Sequence, residues 1–87
     1  MASYRVLIKP TAAKEIEALD RKKDRQRIVA KIRSLGHDPR PHGHEKLAGQ
    51  EDRYRLRSGR HRIIYSIGDA ELVVVVVRVG HRREVYR

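Results

Sequence analysis

A run of valines near the end of the chain places the strongest limit on what this sequence can fold into. Residues 72–79 are apolar at every position except Arg78, so neither face of the segment suits contact with water. The segment is too short to span a membrane, and its consecutive β-branched residues favour a strand over a helix. The run therefore predicts a central strand that is covered on both faces, around which the other elements are arranged.

The N-terminal part of the sequence carries the signals of one strand and two helices. Residues 4–9 alternate as a strand requires and stop at Pro10. Thr11 can accept the N-cap hydrogen bond of a following helix, and Gly36 stands where a second helix should end. The apolar residues at helical spacing between these points are Ala12, Ile16 and Leu19, followed by Ile28, Val29, Ile32 and Leu35. Because the polar residues 20–24 separate the two sets, the pattern predicts an αα-hairpin.

Prolines and glycines dominate the next segment, residues 36–45, which reads GHDPRPHGHE. They exclude regular structure and predict an exposed loop. His42 and His44 lie in this loop, but two histidines without cysteine or an acidic cluster make too small a ligand set for a metal ion. We therefore predict neither a metal nor a cofactor.

Two further strand-like segments carry arginines at alternate positions. In residues 53–58 the apolar side chains share one face, and in residues 61–67 Ile63 and Tyr65 share the core side with His61. The arginines that can face the other way, together with that of the valine run, are Arg53, Arg55, Arg57, Arg60, Arg62 and Arg78. Like charges packed this closely repel one another unless an anion offsets them. The pattern therefore predicts a phosphate-facing surface.

The predicted elements follow one another in the order β-α-α-β-β-β. A chain of 87 residues buries only about 60% of the surface of its unfolded state, so we predict a single domain over residues 1–87. Two helices between a first strand and a three-stranded meander must pack on one face of the sheet. The sequence thus predicts an α+β fold, with two N-terminal helices on one face of a small, mainly antiparallel sheet and the arginine-bearing face left open.

The net charge indicates the kind of partner. Lys and Arg total 21 against 11 Asp and Glu, which gives a formal charge of +10 and a pI near 10.7. Release of counterions makes a phosphate backbone the natural target of such a surface, with acidic protein segments second. A membrane surface is not expected, because no basic amphipathic helix carries bulky aromatics and Phe and Trp are absent. Since the sequence lacks cysteine and an apolar signal segment, the cytoplasm is the expected compartment.

Three stretches of the sequence together resemble the RelE branch of the RelE/ParE toxin superfamily. They are KLAG from residue 46, DRYRLRSGRHRIIYSI from residue 52 and VVVVVRVGHRREVY from residue 73, and the resemblance covers nearly the whole chain. It implies a RelE-like microbial RNase fold and a toxin of a type II toxin-antitoxin system, a ribosome-dependent endonuclease that cuts mRNA in the decoding site. It also implies a cognate RelB-like antitoxin with an acidic segment, which can assemble with the toxin into a heterotetramer.

The resemblance also assigns residues to a reaction, in which a ribose 2′-hydroxyl attacks the adjacent phosphodiester in line and leaves a 2′,3′-cyclic phosphate. The positions that match the family's catalytic residues hold Arg53, Arg55, Arg62, Arg82 and Tyr86. The residues expected to bind RNA around them are Arg57, Arg60, Arg78, His81 and Arg83. Guanidinium groups are planar, permanently charged and bidentate toward phosphate, so they suit the charge that builds on the phosphoryl oxygens. Arg82 matches the position that protonates the leaving oxygen, and Tyr86 is expected to stack on or orient a base.

One departure from the family concerns the general base. The best-known members carry lysines at the positions of Arg53 and Arg55, and arginine is a poor general base. Attack assisted by the substrate or by hydroxide is one alternative, and a histidine is the other. His81 is favoured over His61, because alternation directs His61 toward the core.

Two other functions stay open at the level of sequence. The first is a ParE-like toxin that inhibits DNA gyrase without cutting RNA, since the two branches of the superfamily share a fold. The second is an RNA-binding module without catalysis, which is compatible with the missing lysines and predicts salt-sensitive binding.

Overall fold

The computed structural model describes residues 3–50 and 52–81, and within them it contains two helices and one five-stranded sheet. The elements in chain order are β1 (Arg5–Ile8), α1 (Pro10–Glu17), α2 (Lys22–Ser34), β2 (Glu45–Lys46), β3 (Arg53–Ser58), β4 (His61–Gly68) and β5 (Val73–His81). The strand order is β1-β5-β4-β3-β2, in which β1 and β5 are parallel and the other pairs are antiparallel. The predicted α+β architecture is confirmed.

The two helices pack on one face of the sheet. α1 begins at Pro10, whose fixed φ and missing N–H suit the first helical turn, and its N-cap position is Lys9. The predicted N-cap at Thr11 was therefore wrong by two residues, because Pro10 can itself start the helix. α2 ends at Ser34 with its C-cap at Leu35, one residue before the predicted C-cap at Gly36. Neither of the helices described here is long and apolar enough to cross a lipid bilayer.

The core lies between the helices and the side chains that β3, β4 and β5 direct toward them. Its members, all largely buried, are Ala12, Ile16, Ile28, Ile32, Leu35, Leu56, Ile63, Tyr65, Ile67, Val74, Val76 and Val79. Tyr65 is fully buried, and its hydroxyl donates a hydrogen bond of 2.8 Å to the carbonyl oxygen of Pro39, so its polar atom is satisfied inside the core. Helical spacing and the alternation of β3 and β4 assign these side chains to the interior, except for the three valines of β5, whose run shows no alternation.

The valine run forms β5, a central strand between β1 and β4, as predicted. Its coverage on both faces was predicted wrongly: Val74 and Val76 are buried against the helices, whereas Val75 and Val77 are only half-buried on the opposite face. A β-bulge also interrupts the alternation, because Val76 pairs with Tyr65 and Arg78 pairs with Ile64. Val77 is the extra residue, and it returns Val79 to the core side.

The segment between α2 and β3 is less loop-like than its composition predicts. Pro39 is buried, and Glu45 and Lys46 form the short strand β2, which pairs with β3 at the edge of the sheet. Sequence analysis missed this strand for two reasons. It is only two residues long, which is too short to show alternation, and it directly follows a segment rich in glycine and proline. The segment therefore continues the sheet instead of leaving β3 as its edge.

An exposed cluster of one ion pair and one further hydrogen bond connects the segment between α2 and β3 to the turn between β4 and β5. Arg40 contacts Asp69 in the turn between β4 and β5 at 2.8 Å, and the hydroxyl of Tyr4 donates to Asp69 at 2.6 Å. These two hydrogen bonds, that of Arg40 first, lower the pKa of the Asp69 carboxyl group to about 2. The cluster thus joins the loop, the turn and the chain just before β1.

Candidate nucleic-acid interface

The face of the sheet opposite the helices carries arginines from two adjacent strands. On β3, Arg53, Arg55 and Arg57 alternate with the core-side residues, and the antiparallel register places Arg57 directly opposite Arg62 of β4. Directly opposed residues in such a pair lie about 5 Å apart at their Cα atoms. We call the surface formed by Arg53, Arg55, Arg57 and Arg62 the arginine face.

The four arginines differ in how far they are exposed. Arg57 is exposed and Arg53 and Arg55 are half-buried, whereas Arg62 is only 6% exposed. Arg62 has Arg57 on one side and Gly80 of β5 on the other, so no β5 side chain competes for its space. A guanidinium that is largely removed from water is also held in place, which preorganises its charge toward an anion. Arg62 therefore belongs to the floor of the arginine face and Arg57 to its rim.

A carboxylate that the sequence did not bring to notice also lies on this face. The register of β2 places Glu45 opposite Arg55, and the Glu45 carboxylate accepts a hydrogen bond from Nη2 of Arg55. The side chain of Glu45 is 63% exposed, against 21% for that of Arg55. Sequence reasoning missed Glu45 because it assigned residues 36–45 to a loop. A short strand before the turn into β3 is the signal that would have found it.

Arg78 was predicted to face phosphate, but its guanidinium binds α1. Its Nε and Nη2 atoms donate to the Glu15 carboxylate at 3.1 and 3.0 Å, and one oxygen of that carboxylate also accepts the backbone N–H of Val79 at 2.9 Å. The register places Arg78 opposite Ile64, on the same side of the sheet as Arg55, but β1 ends at Ile8 beside Val76, so the Arg78 side chain can reach Glu15 past the end of β1. An RNA-binding role for Arg78 stays a prediction that this geometry does not favour.

Two other predicted RNA-binding residues, Arg60 and His81, lie at the end of the sheet beside the connection between the helices. They line a shared concavity with Asp20, Asp24 and His61. The rings of His61 and His81 meet edge to face, 6.3 Å apart at their centroids. Neither histidine that was considered as a general base therefore lies with the arginine face. For His61 this is the orientation that alternation predicts.

The remaining predicted site residues, Arg82, Arg83 and Tyr86, lie outside the described residues. Their catalytic and RNA-binding roles stay predictions. Of the residues that can be placed, Arg53, Arg55, Arg57 and Arg62 are brought together on one surface. Among the described residues, no group of three or more His, Cys, Asp or Glu side chains is placed to hold a metal ion.

An aromatic contact supports the sheet beneath the arginine face. Tyr54 and Tyr65 stack on the core side with their ring centroids 5.9 Å apart, and the Arg40 guanidinium lies 5.8 Å from the Tyr54 ring. Burial is the main reason that the pKa of the Tyr65 phenol rises to about 12. Tyr65 therefore stays neutral in the physiological range and acts as a structural residue.

Comparison with known proteins identifies relatives along the whole chain. The model of a family described as the ParE toxin of the type II toxin-antitoxin system, parDE, matches residues 6–86. No curated protein matches significantly.

Solved structures of toxins and of toxin-antitoxin complexes are also similar. The RelBE complex of Mycobacterium tuberculosis matches with a TM-score of 0.82 at 26% identity, over 97% of each chain. The archaeal RelE-RelB complex of Pyrococcus horikoshii matches with a TM-score of 0.82 at 29% identity, over 94% of this chain and 98% of that one. A substituted Escherichia coli RelE toxin in the free state matches with a TM-score of 0.78 at 32% identity, over 97% of this chain and 90% of that one.

Proposed function

We propose that this chain, which belongs to the ParE toxin family of type II toxin-antitoxin systems and is a RelE-like member of the RelE/ParE superfamily, is an endoribonuclease that cleaves mRNA on the ribosome. The observation that carries this proposal is the arginine face, on which Arg55, Arg57 and Arg62 share one side of two paired strands. A surface of this kind suits a phosphodiester, because several guanidinium groups can contact the oxygens of one phosphate.

In the proposed reaction the ribose 2′-hydroxyl attacks the adjacent phosphorus, and the bond to the 5′-oxygen of the next nucleotide breaks. Negative charge builds on the phosphoryl oxygens in the transition state. Arg55 and Arg62 are proposed to stabilise that charge. Removal of one such preorganised donor typically raises the activation free energy by about 3 kcal/mol, and we assign a contribution of this size to each arginine. Arg53 and Arg57 bind the phosphates on either side.

The C-terminal residues complete the proposed mechanism. Arg82 stabilises or protonates the leaving 5′-oxygen, and Tyr86 stacks on or orients a base. Since the pKa of arginine exceeds 12, the electrostatic role of Arg82 is the stronger part of this assignment.

We propose a RelB-like antitoxin with an acidic segment as the partner that holds the toxin inactive. The solved relatives from M. tuberculosis and P. horikoshii are toxin-antitoxin complexes. The formal charge of +10 on this chain makes an acidic peptide a favourable partner, and a segment that folds as it binds could cover a large part of the arginine face. The free toxin would act in the cytoplasm, where ribosomes translate mRNA.

Cleavage of mRNA on purified ribosomes tests the proposal. The expected result is cleavage at defined codon positions, with 2′,3′-cyclic phosphate and 5′-hydroxyl ends, and a loss of 10²-fold or more in the rate of the Arg62→Ala variant. Mapping of 5′ ends and of the product termini measures both. Intact message on stalled ribosomes would refute the nuclease. Thermal unfolding of the variant is the control, because Arg62 is largely buried.

Inhibition of DNA gyrase is the second candidate, because the matching family is described as the ParE toxin. In that case the protein would act through contacts with the enzyme and would leave RNA intact. A supercoiling assay at excess toxin distinguishes the two functions. Normal supercoiling together with cleaved mRNA supports the ribonuclease, and the reverse pattern supports the gyrase inhibitor.

A further inference from the structure

The proposed cleavage needs a group that takes the proton of the 2′-hydroxyl, and the arginines cannot supply it. Arginine keeps its proton throughout the range in which proteins function, so Arg53 and Arg55 cannot act as the base. His61 and His81 lie together beside the connection between the helices and not with the arginine face. Attack assisted by the substrate or by hydroxide is one alternative, and a protein base on another residue of this surface is the other.

Glu45 has the position and the chemistry that the reaction requires. Within the described strands, it is the one residue on the same face as Arg53, Arg55, Arg57 and Arg62 that carries a carboxylate. Arg55 donates a hydrogen bond to this carboxylate and so fixes its orientation. The Glu45 side chain is nevertheless 63% exposed, which leaves it open to a ligand that lies on the face.

We propose that Glu45 is the general base of the RNA cleavage, an inference that rests on the proposed function. A free lone pair of the Glu45 carboxylate takes the proton of the 2′-hydroxyl while the 2′-oxygen forms its bond to phosphorus. The bond between phosphorus and the 5′-oxygen breaks, and the 5′-oxygen receives a proton from water while the proposed electrostatic role of Arg82 stabilises its charge. Glu45 then returns its proton to the solvent, so the cycle needs no further reactant. Arg55 holds the carboxylate and contacts the phosphoryl oxygens, which brings base and substrate together.

This role has an unusual signature, because a carboxylate weakens the binding of RNA to the face on which it lies. Glu45 repels the phosphate backbone and occupies one of the donors of Arg55. If Glu45 only offset the charge of Arg55, its removal would strengthen binding and speed cleavage together. If Glu45 is the base, its removal strengthens binding but slows cleavage. The two effects have opposite signs only in the second case.

The test compares Glu45→Gln with the wild type and with Glu17→Gln, a matched change at an exposed position of α1. Binding is measured with ribosomes programmed with an mRNA that lacks the 2′-hydroxyl at the cleavage site, and cleavage is measured in single-turnover assays. Glu45→Gln is expected to bind at least as tightly as the wild type and to cleave 10²-fold or more slowly. Glu17→Gln is expected to match the wild type in both measurements.

The outcomes separate this inference from the function on which it depends. A wild-type protein that does not cleave RNA at all overturns the proposed function. A wild-type protein that cleaves, beside a Glu45→Gln variant that cleaves as fast or faster, overturns the role of Glu45 alone. Retained binding shows that the variant is folded. Partial recovery of cleavage in Glu45→Asp, which keeps a carboxylate, supports proton transfer as the role of Glu45.

Discussion

Two arginines of the same sheet form ion pairs with glutamates in opposite arrangements. In the pair of Arg78 and Glu15, the carboxylate is the enclosed partner: its side chain is 24% exposed, and it also accepts the backbone N–H of Val79. In the pair of Arg55 and Glu45, the carboxylate is the exposed partner, at 63%. A carboxylate that is enclosed and fully used stabilises the fold, whereas one that faces outward is available to a ligand. The difference separates a structural ion pair from the pair that we propose to be functional.

The largest expected effect on cleavage comes from replacing Arg55, the arginine of the pair whose carboxylate is exposed. Arg55→Ala removes a group proposed to stabilise the transition state, so cleavage on ribosomes should fall by 10²- to 10³-fold. Arg78→Ala should act mainly through stability and leave single-turnover cleavage much closer to wild type when the assay is run well below its melting temperature. Single-turnover rates and melting curves for both variants measure the contrast. Equal losses of cleavage would show that the two pairs do not differ in function.

Breaking the enclosed pair at its carboxylate should affect stability instead. Glu15→Ala leaves the Val79 N–H and the Arg78 guanidinium without this acceptor, which should lower the free energy of unfolding by about 2 kcal/mol. Glu17→Ala, on the same helix but exposed, should change it by less than about 0.5 kcal/mol. Urea denaturation measures both values. A Glu15 variant as stable as its control would mean that the contact between α1 and β5 depends on apolar packing alone.

The smallest expected effect concerns the pair of Arg40 and Asp69. Both side chains are exposed, so this pair extends the comparison to an ion pair that is open to water on both sides. The pKa of Asp69 is lowered from 3.8 to about 2, so folding favours its charged form. Its contribution is present above pH 4 and is lost as the pH falls toward 2. Asp69→Asn should therefore reduce the stability difference between pH 5 and pH 2, as measured by thermal unfolding at each pH. An unchanged difference would assign the acid sensitivity to other carboxylates.

Sequence patterns were sufficient for the fold and for part of the site. Helical spacing identified the buried faces of α1 and α2, and strand alternation separated Tyr54 and Leu56 from Arg53, Arg55 and Arg57. These assignments succeed because each depends only on neighbours along the chain.

The errors arise where neighbours in space decide. The bulge at Val77 comes from how β5 pairs with β4, and β1 ends beside Val76, so the contact of Arg78 with Glu15 could not be found by counting residues. β2 is stable only because β3 offers it a partner, so Glu45 could not be assigned to the arginine face from its own segment. The valines of β5 led to the wrong prediction of a strand covered on both faces. β-branched side chains favour a strand both where its face is buried and where its face is partly exposed, so their presence does not show which face is covered.

The parallel pairing of β1 with β5 also determines when this toxin can fold. β1 lies near the start of the chain, yet its neighbour in the sheet, Val73–His81, is the last of the described strands to be synthesised. Contacts between such distant segments form late, because the intervening chain must first be closed into a loop. A nascent chain that has not yet released β5 can complete neither the sheet nor the placement of Arg62 beside Gly80. The assembled arginine face therefore depends on the last of the described strands to be synthesised.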